Sequence, residues 1–324
     1  MKIALCFIIS YEHILNKENI WREWIEENKD IINVYFYYKD LKKIKSKWIF
    51  EHTIPPNYIK ETSYYHVIPA YISILSFAYN HDKYNQWFCL LTDACCPIIS
   101  PKRFRNLFYN NYNKSIINWR KAWWNCKFHK RANLEHLPEE LRLANDPWFI
   151  LKREHINCIK NFTYYKTTND IFKTVCSGGL ANESLFAIIL YIYKQIDNKN
   201  LINKNVIAAV THATDWNRME SSTSPHLFKY ANDLDIKFID NIYNEHKYIS
   251  FIRKISPEFP DSVLNHYIYI KNKKEDELLV LNEPFIFKYN RFKIFINNIK
   301  YYLILGFLFY IYLHLLSFQT PKIT

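Results

Sequence analysis

Residues 3–38 read IALCFIISYEHILNKENIWREWIEENKDIINVYFYY. Ile3–Ile9 is a continuous apolar run, as expected of a strand buried on both faces of a parallel sheet. In Asn16–Asn28, Ile20, Trp21, Trp24 and Ile25 recur on one helical face. Ile32–Tyr37 is a second strand. Strand, helix and strand at this spacing make a βαβ unit, which sets the fold class as α/β with a central, mostly parallel sheet. The chain continues in that manner. Val67–Tyr79 reads as a helix with Pro69 in its first turn, where proline is tolerated. Trp87–Leu91 is a third apolar strand, and it runs into the turn Thr92-Asp93-Ala94-Cys95-Cys96-Pro97. Ligands of open α/β sheets bind beyond the carboxyl ends of strands, which makes Thr92 and Asp93 site candidates. Pro101–Asn111 reads as a short basic helix and Asp146–Lys152 as a strand leading into a helix from Arg153. Val206–Val210 and Tyr248–Lys254 are the last strand-like runs.

The chain has 324 residues, 49% apolar and 18% aromatic, enough for a sizeable core and unlike a disordered segment. Net charge is +12, which favours anionic partners: nucleic acid, phosphorylated small molecules or an acidic membrane surface. Seven cysteines, an odd number without a CxxC pair, indicate neither a disulfide framework nor a zinc site. Near the end, Tyr301–Phe318 (YYLILGFLFYIYLHLLSF) carries no charged residue. As a helix it would rise ~27 Å, close to the hydrocarbon thickness of a bilayer. Lys288, Arg291, Lys293 and Lys300 precede it, so the positive-inside rule puts the main domain on the cytoplasmic side of a single-pass membrane anchor. The competing reading is a buried aromatic core helix. The expected division is 1–285 as the main domain, 286–300 as a basic juxtamembrane segment, 301–318 as the anchor and 319–324 as a tail.

Two further stretches carry chemistry. Gly178–Tyr193 (GGLANESLFAIILYIY) holds two of the three glycines in the chain. Glycine permits positive φ or close backbone approach. Asn182 is the expected N-cap, and Leu185, Ile188, Ile189 and Ile192 form a buried helical face. Glu183 would then sit at the first helical position, where the dipole favours its ionised form. An ionised carboxylate at a pocket mouth can act as a general base, although a first-turn Glu more often only answers the dipole. Ile117–Arg131 (INWRKAWWNCKFHKR) interleaves bases with aromatics. It could bind single-stranded nucleic acid or a sugar face, or line a core edge, and a substrate-cleft loop is the expected role.

Taken in order, six blocks resemble the core-2/I-branching enzyme family, glycosyltransferase family 14, in a divergent form. HVIPAYISILSFAYN with WFCLLTDACCPIIS resembles its helix, strand and L-S-x-x-C-x-P-L block. LPEELRLANDPWFILKREHI resembles its W-x-x-L-x-R-x-H segment through Trp148, Leu151, Arg153 and His155. GGLANESLFAIIL resembles its D-E helix start, THATDWNRMESSTSPHLF its D-W-S…H-P…F run, and SFIRKIS its F-A-R-K-F segment. The opening strand, loop and tryptophan helix are similar as well. The resemblance implies a GT-A-like fold and an inverting transferase that moves a sugar, GlcNAc or xylose, from a UDP-sugar to a hydroxyl of a glycan or protein acceptor. It implies no cofactor and no metal. The family's base falls on Glu183, and its diphosphate-binding cation on Lys254. Arg253 and Arg218 are further diphosphate candidates, Thr92 and Asp93 could approach the donor, and Trp148, Asp215 and Trp216 could line the acceptor cleft.

The sequence departs from the family in places. Tyr37-Tyr38-Lys39 lacks the strand-end Asp thought to meet uracil, and Asn182 replaces the usual Asp before the base. The one literal Asp-x-Asp, Asp233-Leu234-Asp235, reads as solvated surface. The alternative is a basic anion- or nucleic-acid-binding protein without catalysis. A third reading is a degenerate transferase fold kept as an interaction scaffold, and the retained Glu183 and Lys254 weigh against that; nucleic acid is not the expected partner.

Overall fold

The computed structural model describes residues 1–9, 12–197, 205–285, 288, 296, 299–308 and 311. The chain forms two units, Lys2–Val280 and Leu281–Thr324 with Met1. In the first, β1 (Lys2–Ile8), α1 (Glu18–Glu26) and β2 (Ile32–Tyr37) make the expected βαβ unit. A short α2 (Lys47–Glu51) and the long α3 (Ile68–His81) then lead to β3 (Asn85–Thr92). β1 lies between β2 and β3, parallel to both, with Leu5 opposite Val34 and Cys89. After β4 (Cys96–Pro97) and α4 (Pro101–Asn111) come the short strands β5 (Ser115–Ile116), β6 (Trp119–Lys121), β7 (Leu143–Asn145) and β8 (Ile150–Lys152). Next are α5 (Arg153–Phe162), α6 (Lys166–Ser177), α7 (Leu185–Ile192) and β9 (Val206–Ile207). β10 (His212–Thr214), α8 (Asp233–Glu245) and β11 (Phe251–Arg253) follow. The central sheet runs β2-β1-β3-β8-β5-β9, and a smaller one runs β10-β11-β4.

The central sheet is mostly parallel, in keeping with a GT-A-like α/β fold. β8 is the exception, antiparallel to both β3 and β5. The expected strand Asp146–Lys152 is thus shortened to its last three residues. Pro147 has no N–H for a ladder, and Asp146–Trp148 form an irregular entry to the strand instead. The run Tyr248–Lys254 likewise contributes only Phe251–Arg253, to the smaller sheet.

Both faces of the central sheet are covered, which is why its strands read as unbroken apolar runs. On one face Ala4, Cys6, Phe88, Leu90 and Leu151 pack in one cluster with Ile74 and Leu75 of α3 and Phe186, Ile188 and Ile189 of α7. On the other, Phe7 meets the Trp21 ring at 4.8 Å and Trp24 meets Phe104 at 4.9 Å, with Phe251 of the smaller sheet 5.7 Å from Trp21. Buried indoles need acceptors. Trp21 donates to the Cys95 carbonyl and Trp24 to that of Ile99, each at 2.9 Å, and this ties α1 to the segment after β3.

The W-x-x-L-x-R-x-H segment is mostly a structural tie. Arg153 stacks on Tyr79 at 3.9 Å and donates to the carbonyls of Tyr79, Asp82 and Asn85, joining the start of α5 to the end of α3. His155 is buried against Ser115, and burial lowers its pKa to about 4.

Among the described residues no helix is long and apolar enough to cross a membrane. Tyr301–Leu308 are helical and exposed. Most of the rest of the run to Phe318, together with Arg291 and Lys293 of the basic segment, lies outside the described residues.

Candidate active site

Glu183 closes a 3-10 turn, Ala181–Glu183, that precedes α7. The helix itself begins at Leu185 with Ser184 as N-cap, so neither the expected N-cap at Asn182 nor the first helical position for Glu183 is what forms. The turn is held from outside. The buried Asn145 at the end of β7 donates Nδ2 to the Asn182 carbonyl at 2.9 Å, and its Oδ1 accepts the Ala187 N–H at 3.0 Å. One amide thus caps α7 and fixes the turn before it, satisfying a helix-start donor from a distant strand.

Of the two uses open to the glycines, positive φ and close approach, only the second is realised. Neither Gly178 nor Gly179 has positive φ; Leu180 does, at 58°. What Gly178 supplies is approach. A Cβ there would lie 2.7 Å from the Ala132 carbonyl carbon and closer still to Asn133 N. Ala132 donates to the Gly179 carbonyl at 2.8 Å, so the turn carrying Glu183 is paired with the end of the Trp-rich segment. Gly178→Ala should therefore cost about 1–3 kcal/mol, as overpacking against a fixed neighbour does. Gly179→Ala, which meets only the Tyr65 side chain at an ordinary 3.5 Å, should cost far less. Thermal denaturation of the two variants checks the contrast.

Through this pairing Arg131 reaches Glu183, Nη1 to Oε2 at 3.3 Å. Glu183 is 23% exposed at its side chain. Burial raises its pKa above the usual carboxylate range; Arg131 opposes the shift and the negative charge of Asp146 adds to it. Desolvation thus outweighs the ion pair and any dipole at the turn, the reverse of the expected stabilisation of the charged form. Asp146, which accepts from Asn118 Nδ2 at 3.0 Å, is raised by burial too.

The second half of the site comes from β11. Arg253 is buried, its guanidinium 3.4 Å from the centre of the Trp148 ring. Among the described residues its Nε and the Trp148 Nε1 have no hydrogen-bond partner. Burial lowers its pKa, while the negative charge of Asp93 works in the other direction. Lys254 donates Nζ to Ser224 Oγ at 2.8 Å. Its pKa is lowered by burial and by Arg253, and raised in turn by Asp93 and Glu220. Tyr71 on α3 links the halves: its buried hydroxyl senses the positive charge of Arg253 and the negative charge of Glu183. Thr92 holds the turn after β3 by bonding Cys95 Sγ at 3.3 Å.

The loop between β10 and α8 is a separate network. Asp215 accepts from the backbones of Asn217 and Arg218 and from Arg218 Nε at 2.7 Å. Arg218 Nη1 binds Asp235 at 2.8 Å. Asp235 also meets His226 at 2.9 Å and forms the capping box of α8 with Asn232. Asp235 is therefore a buried hub, not solvated surface, because two partners from the preceding loop fold back on it; Asp233 is exposed as expected. Trp216 is 47% exposed. Contacts thus join Arg253 to Trp148 and Glu183 to Arg131. Charge interactions tie Arg253 and Lys254 to Asp93 and relate Arg253 to Glu183 only through Tyr71, and Arg218 and Asp215 hold their own loop. Sequence reading had not singled out Arg131, Asn145, Asp146 or Tyr71, although Arg131 ends the segment read as a cleft loop.

The Core-2/I-Branching enzyme family model matches residues 33–243, from within β2 nearly to the end of α8. It covers Glu183 and Trp148 and stops before Arg253 and Lys254. No curated protein matches the chain. With two thirds of its length under that match, the chain belongs to the core-2/I-branching enzyme family and is a glycosyltransferase of acetylglucosaminyltransferase-like type.

Proposed function

We propose that the protein moves GlcNAc or xylose from a UDP-sugar to a hydroxyl of a glycan or protein acceptor, with inversion and without a metal. The observation that carries this reading is Glu183: a partly buried carboxylate, raised in pKa and held by Arg131, in the family's base position. A hydroxyl is a poor nucleophile until its proton is taken, and a base with a raised pKa takes it more effectively. Glu183 accepts that proton as the acceptor oxygen bonds to the anomeric carbon. The bond from that carbon to the diphosphate oxygen breaks, and the configuration inverts in this single displacement. The charge growing on the diphosphate is met by fixed cations, Arg253 and Lys254. The Arg253 guanidinium rests over the Trp148 ring, and the negative charge of Asp93 favours the cationic form of both side chains against the burial that opposes it.

Metal independence is supported by the Asp-x-Asp pair. Asp235 is engaged by Arg218 and His226, so its carboxylate is already committed within the protein. UDP-sugar hydrolysis and transfer, screened over a panel of UDP-sugars, should survive excess EDTA. Strict Mn²⁺ dependence would overturn this part of the reading.

The proposal includes a membrane anchor at Tyr301–Phe318 with the catalytic unit on the cytoplasmic side. Its support is the uncharged sequence and the exposed apolar helix Tyr301–Leu308. The full chain should rise with liposomes in a flotation gradient, and a chain ending near Asn290 should not.

A further inference from the structure

The Trp-rich segment beside Glu183 has a chemistry of its own. Between Trp119 and Arg131 there are five Lys or Arg residues and His129, and no acid. Arg120, Lys121, Lys127, His129 and Lys130 are exposed. Lys121 makes a long contact, 3.9 Å, to the exposed Glu139. Lysine is common throughout this chain, so the arginines carry more weight. Arg120 lies 3.8 Å over the face of Trp123, and Arg131 lies 5.4 Å over Trp124. Arg120 is close enough to Asp146 to be felt by it, and Arg131 touches Glu183. The cationic strip therefore borders the reacting carboxylate.

We infer that the acceptor is an anionic glycan, bearing a carboxylate or sulfate near the hydroxyl that is glycosylated. This rests on the transferase reading and adds the acceptor's charge to it. A guanidinium already resting over an indole face, as Arg120 does on Trp123, loses less freedom when it forks onto a carboxylate or sulfate. A neutral sugar would gain less than an anion from a strip whose exposed cations outnumber the carboxylates beside them. The same faces argue against nucleic acid. Proteins that hold single strands offer open aromatic faces to bases, whereas Trp123 and Trp124 each hold an arginine.

The test uses the full chain and two matched pairs of oligosaccharides: a uronic-acid polymer fragment with its carboxyl-reduced counterpart, and a sulfated fragment with its desulfated counterpart. Binding is measured by calorimetry without donor, and UDP-sugar hydrolysis is followed separately. One or both anionic ligands should bind about tenfold or more tightly than their neutral counterparts at low ionic strength, and the gap should narrow as salt screens it. Which one does so separates carboxylate from sulfate. The triple substitution Lys121→Gln, Lys127→Gln and Lys130→Gln changes exposed side chains only. It should remove about tenfold of that affinity while leaving UDP-sugar hydrolysis unchanged. Equal binding of neutral and anionic glycans, or tighter binding of a single-stranded oligonucleotide than of either, overturns the inference. Hydrolysis without anion preference would overturn it alone; anion preference without any UDP-sugar hydrolysis would overturn the transferase mechanism and leave the anion site standing.

Discussion

Glu183→Gln is expected to lower turnover by about 10²–10⁴-fold, the usual contribution of a positioned general base. Glutamine keeps the shape and can still accept from Arg131, but it cannot take a proton from the acceptor. Donor affinity should change little, because the cations proposed to meet the diphosphate, Arg253 and Lys254, lie at the end of β11 and not on the turn. The fold should persist, since the substitution removes a charge that burial already disfavours. The wild-type pH profile carries the same signature. A base with a raised pKa is protonated, and idle, below that value, so kcat/KM should climb as pH rises through a point above the ordinary carboxylate range. Turnover and calorimetric donor binding on one preparation decide the matter: a Glu183→Gln enzyme as fast as wild type removes Glu183 from the mechanism.

Lys254→Ala should weaken UDP binding by roughly 10- to 100-fold. A hydrogen bond to a charged group contributes about 1.5–3 kcal/mol, and 1.4 kcal/mol is tenfold. Lys254 is held under the loop from Asp215 to Phe228: it donates to Ser224, and its carbonyl accepts from Phe228 N at 2.9 Å. Burial and the neighbouring Arg253 lower its pKa. A lysine is cationic below its pKa, so donor affinity should be full at neutral pH and fall as pH rises, earlier than for an ordinary lysine. Lys254→Arg should restore part of the binding and push that fall to higher pH. Unchanged UDP affinity in Lys254→Ala would shift the diphosphate to other cations, with Arg253 the nearest.

The fold class was legible because it rests on local patterns. Ile3–Ile8, Trp21 with Trp24, and Ile32–Tyr37 bury themselves wherever the rest of the chain goes. Orientation was not legible: that β8 runs against β3 depends on where Asp146–Trp148 turn, and no periodicity marks it. Glu183 could be found through its resemblance, yet its surroundings could not. Its partner Arg131 lies 52 residues earlier, and the Asn145 side chain that holds its turn lies 37 residues before Asn182. The glycine pair was noticed for the right reason, scarcity. Whether a glycine supplies positive φ or close approach is decided by a neighbour, here Ala132 and Asn133, that sequence does not name. Asp235 was taken for surface because its neighbours in sequence are polar; Arg218 and His226, which bury it, reach it only after the loop folds.

The tether at Asn145 has a consequence for how this chain can vary. The position of Glu183 is set by β7 through Asn145 and by Ala132 through Gly179, both earlier in the sequence than α5. The excursion through α5 and α6 leaves that anchored point and returns to it. Its exposed midpoint, Tyr164 and Tyr165, lies between the two helices. The chain can accordingly be lengthened there, or take an inserted module there, while the reacting carboxylate keeps its register with the strands. Relatives should differ in length in this excursion far more than between Trp119 and Asn145.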